Sequence, residues 1–210
     1  SYWAIWTPDG SSIVYNSNLH GGDELNLFMK PLNSTGPVEQ ITSSEFNQQP
    51  KSWSADGQKL IYLTNVHTET GWDIHMIETG DDSKPLPLFN TKFNEAHPTL
   101  SPDGKWLAYI TDEPGQFEVF VSPFPSLDRR IQISNAGGTE PIWAPDGNTI
   151  YYRNYSGDQV MSVSVLKDFT QPPGMPHVIL EGNFKQGYVF GRTYDLHPDG
   201  DRFLMMQTEE

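Results

Sequence analysis

One four-residue signature recurs five times along this chain, and it constrains the fold more than any other feature. It reads TPDG at 7–10, SADG at 54–57, SPDG at 101–104, APDG at 144–147 and HPDG at 197–200. The aspartates are Asp9, Asp56, Asp103, Asp146 and Asp199, spaced by 47, 47, 43 and 53 residues. Three residues before each stands Trp6, Trp53, Leu100, Trp143 or Leu196; four after stands Ile13, Leu60, Leu107, Ile150 or Phe203. Six after stands Tyr15, Tyr62, Tyr109, Tyr152 or Met205. A period of this length is the mark of a repeat architecture.

The repeat can be read physically. Asp-Gly between two alternating apolar runs predicts a tight hairpin, because Gly accepts a positive φ and Asp bonds its own backbone. Offsets of four and six from the Asp share one strand face. Third runs follow at 24–30, 73–79, 117–123 and 159–165, and fourth runs at 38–42, 85–89, 130–134 and 177–181. No segment holds a period of 3.6. Four short strands per repeat predict an all-β chain, a β-propeller of four-stranded antiparallel blades; a β-sandwich would not explain the strict repeat. The expected blades are 1–44, 45–93, 94–136 and 137–185, with a partial fifth at 186–210. The 18 Gly, 17 Pro and 12% aromatic content fit such a turn-rich chain.

Charge and composition exclude several functions. The net charge of −14 argues against a grip on nucleic acid phosphates or anionic lipid. No apolar run nears the ~20 residues of a membrane span, so no direct membrane insertion is expected. With no cysteine there is no disulfide, thiolate nucleophile or Cys-based zinc site. The chain opens on Ser1 without a basic segment or apolar core of a signal peptide. The expectation is a removed leader or a portion of a longer protein.

The segments PTLSPDGKWLAY (98–109) and PIWAPDGNTIYY (141–152) resemble the TolB-type propeller repeat. The later half is most similar to the propellers attached to bacterial serine/threonine kinases. That resemblance implies an extracytoplasmic or periplasmic binding or sensing module, and usually six blades. Departures are Ala55 in place of the motif's Pro, Pro50 one residue early, and Tyr194 in place of a Pro. Four and a half blades imply that missing blades come from absent sequence or another chain.

The candidate site is the entry to each innermost strand, where a propeller brings residues together around its axis. Those entries carry Trp3, Gln48, Gln49, Glu95, His97, Glu140, Arg192 and Thr193, with Gln49, His97, Glu140 and Arg192 chosen as ligand contacts. The five turn aspartates read as structural rather than as calcium ligands, since calcium needs several oxygens converging on one point. An acceptor before the third strand, at Glu24, Asp73, Glu118 and Gln159, reads as a structural hydrogen bond. His20 and His67 read as loop residues, and Asn33-Ser34-Thr35 and Asn154-Tyr155-Ser156 as formal glycosylation sequons.

No GxSxG, HExxH or P-loop motif is present, so no catalytic residue, metal site or cofactor is expected. The expected function is non-catalytic recognition of a protein, peptide or small polar ligand. Two other classes are an accessory gating propeller of a prolyl oligopeptidase-type peptidase and a metal-dependent propeller lyase.

Overall fold

The computed structural model describes residues 3–32, 36–67, 71–80, 84–89, 91–185 and 191–207, with the side chains of 66 and 67 excepted. The Asn33-Ser34-Thr35 sequon and the His67 imidazole thus lie outside the described residues. The chain divides into two compact units, Ser1–Asn94 and Glu95–Glu210.

The first unit holds two sheets, each in sequence order. One is β1 (Ala4–Trp6), β2 (Ser12–Ser17), β3 (Asn26–Pro31) and β4 (Glu39–Gln40). The other is β5 (Gln48–Trp53), β6 (Lys59–His67), β7 (Gly71–Glu78) and β8 (Leu86–Pro87). The second unit opens with β9 (Glu95–Leu100), β10 (Trp106–Thr111), β11 (Glu118–Pro123) and β12 (Ile131–Gln132). Next come β13 (Thr139–Trp143), β14 (Thr149–Arg153), β15 (Gln159–Ser164) and β16 (His177–Glu181), then the pair β17 (Tyr194–Leu196) and β18 (Phe203–Met205). Paired strands are antiparallel throughout, and no helix occurs among the described residues. Among the described residues these are propeller blades, four of four strands and one of two strands.

The repeated turn explains the regularity. Each signature Gly sits at φ 67 to 78° and donates its N–H three residues back, at 2.8–2.9 Å. An L-residue with a side chain pays about 1–2 kcal/mol in that conformation, so Gly is selected five times. Asp9, Asp56, Asp103 and Asp146 each accept the N–H two residues on, at 2.9–3.2 Å. Thr7, Ser54 and Ser101 hydroxyls donate to the same carboxylates. These aspartates are consumed within their own turns.

Consecutive blades pack through the aliphatic and Tyr positions. In the first unit Val14, Leu27, Leu60, Tyr62 and Ile77 form one buried cluster. In the second, Ile142, Val160 and Tyr194 join blade four to the last pair of strands. Tyr62, Tyr109 and Tyr152 are buried as their spacing predicts. The Trp position is less uniform: Trp143 is buried, Trp53 half-buried, and Trp6 is 61% exposed.

The third-strand acceptor of the first repeat is Asn26, two residues after Glu24. Asn26 pairs with Ser17 just as Asp73 pairs with Thr64 and Glu118 with Thr111, so Asn26 is the first repeat's equivalent. Asn26 follows Asp9 by 17 residues, as Asp73 follows Asp56, whereas Glu118 follows Asp103 by 15. Glu118 shows what the position does: Oε1 accepts the Gly137 N–H at 2.8 Å and Oε2 accepts from the Ser134 hydroxyl, fastening the blade's exit loop.

Candidate functional site

The inner hairpins of blades two, three and four each carry a bulge at this end. In blade three, Tyr109 opposes both His97 and Pro98; in blade four, Tyr152 opposes both Glu140 and Pro141. His97 and Glu140 have φ of 50° and 52°, the left-handed region uncommon for residues with a side chain. A following proline disfavours the right-handed α region for the residue before it, which helps select this kink. Blade two differs because Pro50 falls one residue early: its extra residue is Lys51, with no left-handed residue at the bulge. Bulges of this kind re-aim side chains and are common beside binding sites.

The four chosen contacts fall on two neighbouring positions. His97 and Glu140 are equivalent, and Thr193 continues their row in the fifth repeat. Gln49 pairs with Leu63 as Ala96 pairs with Ile110, so Gln49 stands one residue earlier, as does Arg192. Gln49, His97 and Glu140 are buried. Arg192 is exposed and pairs with Asp195 at 3.3 Å.

Glu140 centres a polar network in the second unit. Its Oε2 accepts the Thr193 N–H at 2.6 Å and the Thr193 hydroxyl at 3.0 Å. The Tyr194 hydroxyl donates to the Glu140 carbonyl at 2.8 Å. Burial pushes the Glu140 carboxyl above the ordinary range, with the Thr193 bonds and the Arg153 and Arg192 charges opposing. Arg153 donates from Nη1 to the Thr193 hydroxyl at 2.9 Å, and its guanidinium lies 5.5 Å from the Phe184 ring centroid. Arg153 is almost wholly buried, yet Nε and Nη2 have no partner among the described residues. Gln49 Oε1 in the first unit is likewise buried and unpartnered.

Arg153 escaped the sequence analysis. Its equivalents are Asn16, Leu63 and Ile110, so a cation at a largely apolar repeat position was the available signal. Asn16 plays a comparable part in the first unit, donating to the Gln48 carbonyl at 3.0 Å and accepting from the Trp3 N–H.

One group of side chains has the chemistry of a metal site. His197, Asp199 and Asp201 offer ligand atoms within 4.8 Å of one another, all exposed. Arg202 lies 3.1 Å from Asp201 and 3.5 Å from Asp199, and His197 Nδ1 accepts the Asp199 N–H at 3.2 Å. A cation would have to displace both, so the group reads as an arginine-tied turn.

The blade architecture is that of TolB-type propellers. A protein described as a TolB from Agrobacterium tumefaciens superposes with a TM-score of 0.68 at 18% identity, covering 85% of this chain and 64% of that one. TolB from Acinetobacter baumannii gives 0.69 at 19%, covering 94% and 46%. An oligogalacturonate lyase from Vibrio parahaemolyticus gives 0.67 at 12%, covering all of this chain and 59% of that one. The chain thus spans about half to two thirds of these relatives. No family model and no curated protein matches it. No helix among the described residues is long and apolar enough to cross a membrane.

Proposed function

We propose that this chain is a non-catalytic recognition module that takes a protein, peptide or small polar ligand at the entry ends of its innermost strands. In the second unit the contacts are His97, Glu140 and Arg192; Gln49 is the corresponding contact of the first. One observation carries the reading: within each unit, buried polar side chains stand at the entry ends of the inner strands, Gln48 and Gln49 in the first and Glu95, His97, Glu140 and Thr193, with Arg153, in the second. Burying polar groups costs folding free energy unless every hydrogen bond is met. Among the described residues, Gln49 Oε1 and the Nε and Nη2 of Arg153 are not met. That is unfavourable for a purely structural element and suited to a site that a ligand completes.

The repeats' resemblance to sensor propellers on bacterial kinases supports a signalling setting outside the cytoplasm, and fractionation of the source cells would test it. The function itself is tested by a thermal-shift screen of amino acids, short peptides and sugar acids, followed by calorimetry on the hits. Saturable binding that weakens in Arg192→Ala supports the proposal. Turnover of a hit, such as cleavage of an oligogalacturonate, would overturn the non-catalytic reading.

A further inference from the structure

We propose that the innermost-strand entries of the second unit take a small carboxylate, held side-on by Arg153; this rests on the recognition role proposed for those entries and names the chemical class of their ligand.

Arg153 closes β14 at a position that carries Leu63 and Ile110 in the two preceding blades. It is 1% exposed. Its Nη1 donates to the Thr193 hydroxyl at 2.9 Å and to the Lys185 carbonyl at 3.5 Å, and its guanidinium carbon lies 5.5 Å from the Phe184 ring centroid. A guanidinium has five N–H groups, and these hydrogen bonds use only the pair on Nη1. Nε and Nη2 are buried and have no partner among the described residues. Together they form one edge of the group, where the Nε hydrogen and one Nη2 hydrogen point the same way. Two parallel donors match the two oxygens of a carboxylate.

Charge makes the missing partner an anion rather than a water molecule. An arginine keeps its charge when buried, and a buried charge without a counter-ion is costly. Arg153 forms no ion pair among the described residues. The neighbouring carboxylates are held elsewhere. Glu140 accepts from the Thr193 N–H and hydroxyl, Asp158 accepts from Asn154 and Ser156, and Asp195 pairs with Arg192. The Thr193 hydroxyl accepts from Arg153 and donates to Glu140, so it stands between the two charges. Glu140 in turn limits the charge of the ligand. A dianion such as phosphate would be repelled more strongly than a planar monoanion. Because the open edge is closed to solvent, the carboxylate belongs to a small molecule that enters by local opening.

The probe is acetate, with acetamide as its uncharged counterpart, titrated into the nitrogen-15-labelled chain at constant ionic strength near neutral pH. The Arg153 Nε–H resonance is identified in the wild type by its nuclear Overhauser contact with the Phe184 ring. Acetate is expected to shift this resonance saturably and to raise the melting temperature; acetamide, chloride and phosphate are expected to do neither. Arg153→Lys keeps the charge but loses the fork, and is expected to weaken acetate binding at least about tenfold. An Arg153 resonance that acetate leaves unmoved, or that chloride or phosphate moves equally, overturns the proposal, and this readout needs no variant to fold. A screening hit that depends on Arg192 but binds equally well as its amide would overturn the carboxylate assignment and leave the recognition role standing. Acetate binding at Arg153, with no hit dependent on Arg192 or His97, would support the carboxylate contact and count against those two residues.

Discussion

The backbone N–H of Thr193 donates to Glu140 Oε2 at 2.6 Å, tying the fifth repeat to the bulge of the fourth. Glu140 and Thr193 occupy the same position of successive repeats, so one blade's bulge residue is held by the next blade's. Replacing the carboxylate by a methyl strands that N–H and removes the partner of the hydroxyl that Arg153 holds. Glu140→Ala is expected to cost about 1–3 kcal/mol in urea denaturation, the penalty for an unmet buried donor. A change below about 0.5 kcal/mol would show that the network bears no load.

The pH dependence of Glu140 has a definite sign. Burial raises its folded-state pKa above 4.5, so the native state holds the proton more tightly than the unfolded chain. Its contribution therefore favours folding at pH below 4.5 and is lost as pH rises through the folded pKa. Glu140→Gln removes that dependence. Relative to wild type, the variant is expected to gain stability between pH 4.5 and neutrality, read by denaturation at the two ends. A difference that stays constant or reverses would contradict the assignment.

Asp9 behaves in the opposite sense. Its hydrogen bonds from Thr7 and Ser11 lower its pKa to about 2. Carboxyl-detected NMR titration is expected to find it there, with Thr7→Val moving it back toward 3.8. The stabilisation it gives is present above 3.8 and disappears as pH falls toward 2. An Asp9 that titrates at 3.8 in the wild type would remove the turn carboxylates' structural role.

Trp143 and Trp53 share a repeat position but not a burial. Trp143 donates from Nε1 to the Thr99 carbonyl at 3.2 Å and packs edge-on to Phe169. Trp143→Ala is expected to cost about 3–5 kcal/mol, as for a buried aromatic. Trp53→Ala should cost distinctly less. Equal losses in chemical denaturation would contradict this packing.

The repeat made the blades legible because every blade poses the same packing problem. Tyr62, Tyr109 and Tyr152 therefore sit where a single spacing puts them. What the repeat does not share was not legible. Phe169 comes from the β15–β16 loop, 12 residues long against seven in each of the other four-stranded blades, so its packing on Trp106 and Trp143 had no repeated pattern to announce it. Spacing alone points to Glu24 where register places Asn26, because the loop before the third strand differs in length between blades while strand register does not. The inner-strand ends were recognisable as polar, but the one-residue stagger of Gln49 and Arg192 against His97 and Glu140 depends on bulges that only backbone geometry reveals.

Recognition at the innermost-strand entries is tested most directly by calorimetry of the best screening hit against wild type and Arg192→Ala. Arg192 is exposed, and its ion pair with Asp195 lies at the surface, so the variant is expected to fold as the parent does. The account predicts at least about tenfold weaker binding, the loss of one charge-assisted contact, with an unchanged melting temperature. Affinity equal to the parent's, in both Arg192→Ala and a folded His97→Ala, would place recognition elsewhere on the molecule.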